Sequence, residues 1–438
     1  MSEAAARSIV DRLLAAGHQA LYAGGCVRDK LLGREPHDYD VATDARPEQV
    51  EALFPRTFPV GAQFGVILVL ERGEEIQVAT FRGDGAYRDG RHPESVTFTD
   101  AEGDALRRDF TVNGLFHDPI RGETLDFVGG KRDLEARLLR AIGDPERRFE
   151  EDKLRLLRAV RFATTLGFTI DPATWEAIRR HATAIRAVSP ERIREELVKI
   201  LLSPNRLRGF DLLDASGLLR EILPEMEAMK GCDQPPEFHP EGDVFVHTRL
   251  MLSLLKPGAS LPLVLSVLFH DLGKPATRIV DETGRIRFNG HEGVSERMSL
   301  AILRRLRFPN EVIEAVQPAV RLHMSFKDVP QMRVATLKRM MARPTFEDEL
   351  ELHRVDCLGS HGMLDNHALL VRKREEFGRE PLIPKPLVTG NDLIALGWKP
   401  GPRFAEILSA AQTLQLEGTL TDRDGALEWV KASFSPGG

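Results

Sequence analysis

Apolar residues recur at helical spacing at Ile9, Val10, Leu13 and Leu14, so residues 7–16 are expected to form a helix. A short apolar run, Leu21, Tyr22 and Ala23, then stops at Gly24-Gly25, and helical spacing resumes over residues 27–32. Asp38-Tyr39-Asp40 leads into Val41 and Ala42 as a strand, and residues 44–54 read as a short helix with Asp44 as its N-cap. The β-rich runs 65–71 (GVILVLE) and 75–82 (EIQVATFR) flank Arg72-Gly73, which predicts a hairpin. From residue 149 onward the period turns helical. Leu154, Leu157, Val160 and Arg161 mark one stripe ending at Gly167, and further helices are expected over 190–201, behind Ser189, and over 205–219. A Pro-rich break at 231–240 precedes an apolar helix near 261–269; a charged helix over 369–379 and a linker at 381–386 lead to a small helical module from residue 389. The predicted fold class is α+β. A small mixed sheet with helices on one side forms a head (1–140), and an elongated all-helical remainder divides at about 230 and 365 into a neck, a third domain and a tail.

Composition narrows this picture. A chain of 438 residues exceeds one core, and 42% hydrophobic content supports compact folding. No apolar run reaches membrane-spanning length, and the N-terminus lacks the pattern of a signal peptide, so no membrane association is expected. Three widely spaced cysteines, Cys26, Cys232 and Cys357, argue against a disulfide framework and for a reducing cytoplasm. Net charge is −6, so a nucleic-acid partner would need a local basic surface.

The candidate chemistry begins at residues 21–44. Residues two apart on a strand share a face, which would put Asp38 and Asp40 side by side. Adjacent carboxylates repel unless a cation lies between them, and hard Mg²⁺ is the expected ion, with places left for phosphate oxygens. Gly24-Gly25 at a strand-to-helix turn allows backbone to approach phosphate. The bland alternative is a cap, a turn and an ordinary Gly-Gly bend. A third carboxylate could come from Glu75 on the second hairpin strand, or two could suffice.

GGCVRDKLLGREPHDYDVAT resembles the signature of class II tRNA nucleotidyltransferases and bacterial poly(A) polymerases. The likeness continues at Arg107-Arg108-Asp109-Phe110-Thr111-Val112-Asn113, at 126–134, at Glu151, Asp152, Arg155 and Arg158 (an EDxxRxxR pattern), and at 190–201. The resemblance implies a polymerase-β-like head that joins CTP and ATP to the 3′ end of tRNA, with Mg²⁺ on Asp38 and Asp40. Gly24, Gly25, Arg28, Arg108 and Asn113 would hold the nucleotide, with Asp109 at the ribose. Guanidinium forks suit triphosphate. Gly114 stands where the family has Ala, a change expected to matter little. Residues 83–93 resemble the loop that switches addition from C to A, at full length, which argues against C-only addition; composition alone reads them as a surface loop.

Asp152 and Arg155, three apart on a helix, read either as a solvated ion pair or as a base reader. Cytosine and adenine both present an amino donor beside an acceptor nitrogen, which a carboxylate and a guanidinium match; guanine and uracil would leave a charge unpaired. The resemblance implies the second reading, with Arg158 structural or on phosphate. CCA addition is the expected product, with A-only addition or poly(A) synthesis as alternatives. A metal-dependent phosphohydrolase with a relic head and a non-catalytic RNA-binding protein are the readings of another class, and intact Asp38, Asp40, Asp152 and Arg155 argue against both.

His247, His270-Asp271, His291, His323 and Asp356 resemble the pattern of HD phosphohydrolase domains. His247, His270, Asp271 and Asp356 would ligate one divalent metal of unspecified identity, and His291 and His323 a second metal or a phosphate. Phosphatase, cyclic phosphodiesterase and inactive fold all stay open. His239, His353, His361 and His367 read as ordinary polar residues. The tail, by resemblance, grips the acceptor arm of tRNA; packing against the preceding domain is the competing explanation. No obligate protein partner is evident.

Overall fold

Strand β1 (Ala20–Ala23) is buried at every residue, which requires cover on both faces of its sheet. The computed structural model, which describes residues 2–61, 64–85, 95–378 and 381–435, supplies it. Helix α1 (Glu3–Ala15), capped by Ser2, lies on the face to which Tyr22 points, and Tyr22 Oη donates to the Glu3 carbonyl. On the other face Leu21 and Ala23 pack with Ala42, Phe81, Phe116, Ala101 and Ala105. The last two belong to a helix that the sequence pattern did not reveal. Helices therefore cover both faces, not one.

The sheet also contains β2 (Asp40–Thr43), β3 (Thr57–Gly61), β4 (Val66–Glu71), β5 (Glu74–Thr80), β8 (Leu115–Asp118) and β9 (Glu123–Asp126), in the order β3-β4-β5-β2-β1-β8-β9. Only β2 and β5 run parallel among these pairs, so the sheet is mixed. The predicted hairpin is β4–β5, with Glu71 opposite Glu74. Two short strands, β6 (Arg82–Asp84) and β7 (Val96–Phe98), pair apart from it; the loop between them falls largely outside the described residues, and with it the expected C-to-A switch. Around the sheet lie α2 (Gly25–Leu31), α3 (Pro47–Leu53), α4 (Ala101–Arg107) and α5 (Gly130–Glu135). Helix α2 thus starts two residues earlier than the periodicity predicts. Helix α3 starts at Pro47 with Arg46 as N-cap, while Asp44 instead accepts from the Gln19 N–H at 2.8 Å.

Helices α6 (Pro145–Glu151), α7 (Leu154–Leu166), α8 (Pro172–His181), α9 (Pro190–Leu201), α10 (Arg206–Ala215) and α11 (Leu218–Ile222) complete a first compact unit, Met1–Glu227. Phe149 begins no single helix: the chain turns extended at Asp152, between α6 and α7. A left-handed Gly217 likewise splits the expected 205–219 helix.

The second unit, Ala228–Gly438, is helical apart from one short hairpin. Its helices are α12 (Val244–Leu254), α13 (Leu261–Phe269), α14 (Lys274–Thr277), α15 (His291–Arg305), α16 (Asn310–Leu322), α17 (Val334–Met341), α18 (Phe346–Gly359), α19 (Asp365–Phe377), α20 (Gly390–Ala395), α21 (Pro402–Leu416) and α22 (Arg423–Ser433). Residues 263–269 of α13 are all buried, and α12, α15, α16 and α18 pack on it. The last three helices share a core around Leu393, Trp398, Ile407 and Val430. Helix α21 packs on α17, where Arg339 Nη2 donates to Thr413 Oγ1 at 2.8 Å. No described helix is long and apolar enough to cross a membrane.

Candidate functional site

At the end of β1 the chain bends through Gly24, whose φ of +71° suits glycine. A Cβ there would lie 2.9 Å from Arg108 Nη1. The bend thus makes room for a guanidinium. The Gly24 N–H is committed to the Leu115 carbonyl at 3.0 Å and is not free for phosphate.

Gly24, Gly25, Arg28, Asp38, Asp40, Arg108, Asp109, Asn113, Asp152, Arg155 and Arg158 all line one cavity of about 650 Å³. Asp40 opens β2, whereas Asp38 lies just ahead of the strand, exposed. Buried Tyr39 between them keeps the two carboxylates on the cavity side. Burial raises the Asp40 pKa; Arg108 opposes the shift and Asp38 adds to it. A carboxylate pair whose charge is already costly is chemically suited to a hard divalent cation. Glu75 sits on the exposed face of β5 and does not line the cavity, so of the two open alternatives the geometry favours the pair Asp38 and Asp40 without it.

The cationic wall is built by a network. Asp109 accepts from Arg158 Nε and Nη2 (2.9 and 2.6 Å) on one oxygen, and from the Phe110 N–H and Asn113 Nδ2 (2.8 and 3.1 Å) on the other. Asn113 Oδ1 in turn accepts from Arg28 Nη1 at 2.6 Å. Burial would raise the Asp109 pKa, but Arg158 and the bond from Asn113 hold it well below the carboxylate range. Both Asp109 oxygens are therefore engaged in anchoring Arg158 and Asn113, and ribose binding through Asp109 requires one of these bonds to open. Arg108 is held by Asp104 Oδ2 through Nε and Nη2 (3.1 and 2.9 Å). The guanidinium carbons of Arg28, Arg158 and Arg161 lie 5.3, 5.3 and 3.5 Å from the Phe162 ring centre.

Asp152 and Arg155 both reach the cavity but are not paired with each other. Asp152 Oδ1 accepts from the Leu154 N–H at 3.0 Å, a local bond that interrupts the helix, and its Oδ2 meets Arg192 Nη2 at 3.1 Å. Arg155 donates to Glu151 Oε2 (2.7 Å) and to the carbonyls of Arg148 and Arg107 (both 3.1 Å). The expected i,i+3 pair on one helix is thus corrected to two pairs, Asp152–Arg192 and Glu151–Arg155. Gly114, the departure from the family's Ala, has Val128 Cγ2 at 2.7 Å from where a methyl would sit, so the space is filled from the other side.

The second unit gathers the other predicted set. Nδ1 of His270, His291 and His323 lies 2.9, 2.7 and 2.7 Å from the carbonyls of Val267, Phe288 and Val320. Each of those nitrogens must carry the proton, which leaves Nε2 as a lone pair. Their Nε2 atoms surround Asp271: His270 at 3.1 Å from Oδ2, His291 and His323 at 3.3 and 3.8 Å from Oδ1. His247 Nε2 lies 4.0 Å from Asp271 and 3.1 Å from Asp356. Asp271 Oδ1 and Nε2 of His247 and His270 are buried without a hydrogen bond, while Asp271 Oδ2 meets Lys274 Nζ at 2.7 Å. Lone pairs of Oδ1 and the imidazoles that face one another favour a further cation among them. Burial and the nearby His270 lower the His323 pKa to about 4, keeping it a neutral donor. A cavity of about 520 Å³, lined by Asp271, His291, His323 and Asp356 with Phe238, Phe288 and Lys274, opens onto the cluster.

Sequence reading missed Phe162, Asp104, Arg192, Glu241 and His239. Asp104 was signalled by its i,i+3 and i,i+4 spacing to Arg107 and Arg108. Arg192 acts across the fold, forty residues from Asp152, and left no local trace; Glu241 lies two residues from His239 and six from His247, in a Pro-rich stretch with no periodicity to pair them. His239, read as an ordinary polar residue, is satisfied by Glu241 and also lines the 520 Å³ cavity.

Residues 20–140 match the family model of the poly(A) polymerase head domain, and residues 167–230 one described as a probable RNA and SrmB-binding site of polymerase A. The chain is 32% identical over 433 residues to a CCA-adding enzyme of Levilactobacillus brevis, with 96% of each chain covered. It is 35% identical over 424 residues to a CC-adding tRNA nucleotidyltransferase of Thermus thermophilus, covering 93% of this chain and 92% of that one. The crystal structure of the Bacillus stearothermophilus CCA-adding enzyme in complex with CTP shares its fold with a TM-score of 0.73 and 28% identity, over 99% of this chain and 98% of that one. Likeness at this identity, running almost end to end, fixes the assignment: the chain belongs to the class II family of CCA-adding enzymes and bacterial poly(A) polymerases.

Proposed function

We propose that this enzyme adds C, C and A to the 3′ end of tRNA without a template, using CTP and ATP. The observation that carries the reading is one cavity holding the Asp38–Asp40 pair at one side, a guanidinium wall at another and Asp152 with Arg155 at a third. Asp38 and Asp40 would hold Mg²⁺, whose chemistry when bound is activation of the RNA 3′-hydroxyl and neutralisation of the departing pyrophosphate. Arg28, Arg108 and Arg158 grip the triphosphate in a fixed array, since Asn113, Asp104 and Asp109 already orient them. Gly24 lets Arg108 come close, and Gly25 carries the turn into α2 beside it. Asp152 accepts from the exocyclic amino group of C or A and Arg155 donates to the adjoining ring nitrogen, so that U and G meet mismatched charge. Four segments divide the work: head, base-reading neck, third domain and a tail that docks the tRNA arm. Three free cysteines support a cytoplasmic setting.

The full-length 83–93 segment supports completion with A over the C-only product of the Thermus relative. Product length decides: tRNA lacking CCA, tRNA ending in CC and an unrelated RNA are incubated with CTP and ATP. Extension by three, by one and not at all supports CCA addition. One A on tRNA ending in CC without C addition to the first substrate would make it A-adding, and long products on all three RNAs would make it a poly(A) polymerase.

The second cluster supports a divalent metal centre for phosphoester hydrolysis. His247, His270, Asp271 and Asp356 would hold one ion and Asp271, His291 and His323 a second, supplying Lewis acidity at the phosphate.

A further inference from the structure

Three of the four imidazoles around Asp271 are oriented by carbonyls three residues earlier in their own chain segment. His247 is different. It lies in the first turns of α12, is 0% exposed, and its Nδ1 has two acceptors from elsewhere: Glu241 Oε1 at 2.7 Å and, at a longer 3.3 Å, the Gly359 carbonyl. The same Glu241 oxygen accepts from His239 Nδ1 at 2.9 Å, and the two rings meet edge to face 5.0 Å apart. The Glu241 side chain is 8% exposed, and its Oε2 is buried with no partner among the described residues. A buried carboxylate that leaves one oxygen unsatisfied is costly, and an ordinary loop residue would point it to water. An ionised carboxylate can only accept, so both rings must carry their proton on Nδ1.

We propose that Glu241 is a positioning residue of the metal centre. It fixes His247 in the tautomer that turns Nε2 toward Asp271 and Asp356, and its charge makes that nitrogen a stronger donor. His239 is set by the same oxygen, which places a ring of known tautomer in the wall of the cavity over the cluster. The inference rests on the metal reading of the cluster. Among the described residues it makes Glu241 the one carboxylate within hydrogen-bond distance of an outer nitrogen of these four imidazoles; Glu292 Oε2 stands farther off, 3.8 Å from His291 Nδ1.

The test is Co²⁺ binding to the metal-stripped full-length chain, followed by calorimetry and by the visible spectrum of the ion. An Asp40→Asn background removes the head's carboxylate pair from the titration. The parent should bind Co²⁺ and an added Asp271→Ala should abolish binding; if the parent does not bind, or Asp271→Ala binds equally, the metal reading falls. Given that binding, Glu241→Ala should weaken it roughly 10- to 100-fold with an altered spectrum. Glu241→Gln, which keeps an acceptor oxygen but loses the charge, should fall between. Melting curves show whether each variant folds. Should Glu241→Ala not fold, Glu241→Gln decides alone, with weaker affinity expected. Parent-like affinity in whichever variant decides overturns the role of Glu241 while leaving the metal centre intact.

Discussion

Arg155 gives its guanidinium to one carboxylate and two carbonyls, so its orientation is set before any nucleotide arrives. Such preorganisation is what a base reader needs, because a flexible arginine would accept several partners. Replacing it by Ala should lower the preference for CTP and ATP over UTP and GTP roughly 10- to 100-fold, the worth of one hydrogen bond to a charged group. The kcat/KM values for the four nucleotides measure this, and an unchanged ratio would refute the base-reading role. At this scale the grouping was legible: Asp38, Asp40, Arg108, Asp152 and Arg155, singled out by motif, all line one cavity. Their partners were not. Spacing predicted Asp152 with Arg155, but the Asp152 carboxylate captured the Leu154 N–H and broke the helix, sending each residue to a different partner. Arg192, forty residues away, could be found only once α9 packed on α7.

Helix α7 brings three arginines to the cavity at i, i+3 and i+6, and Phe162 sits among the last two of them and Arg28. Like charges held this closely repel, and the ring face lowers that cost through cation–π attraction. Phe162→Leu keeps most of the volume and removes the π face. It should raise KM for CTP and ATP by roughly tenfold, from cation–π terms of about 1 kcal/mol, with kcat changed less than about twofold. Steady-state kinetics checks it, and an unchanged KM would show the ring to be mere packing. The elements themselves were largely legible: the β4–β5 hairpin and α9 fall where alternation and capping put them. Helix α4 was not, because AEGDALR shows few apolar positions, and the second cover of the sheet went with it. The both-face cover is nonetheless implicit in β1, where no residue is polar.

Over the whole molecule, a chain of net charge −6 concentrates arginines at one place, and it is that local cluster, not the overall charge, that suits a phosphate-rich ligand. The two units carry separate clusters: carboxylates with arginines in the first, carboxylates with histidines in the second. Hard oxygen donors suit Mg²⁺ and phosphate transfer, while imidazole donors suit a transition metal, so the two centres need not share an ion. The central claim is that Asp40, with Asp38, forms the polymerising centre. Asp40 has a raised pKa in the fold, so above that value its ionised form costs stability, and below both folded and unfolded values the cost disappears. Asp40→Asn in the full-length chain should therefore melt higher than the parent near neutral pH with chelator present, and equally at low pH. The most direct measurement is incorporation of CTP and ATP into tRNA lacking CCA by that folded variant. A fall of at least about 10²-fold is predicted; incorporation at the parent's rate would contradict the assignment.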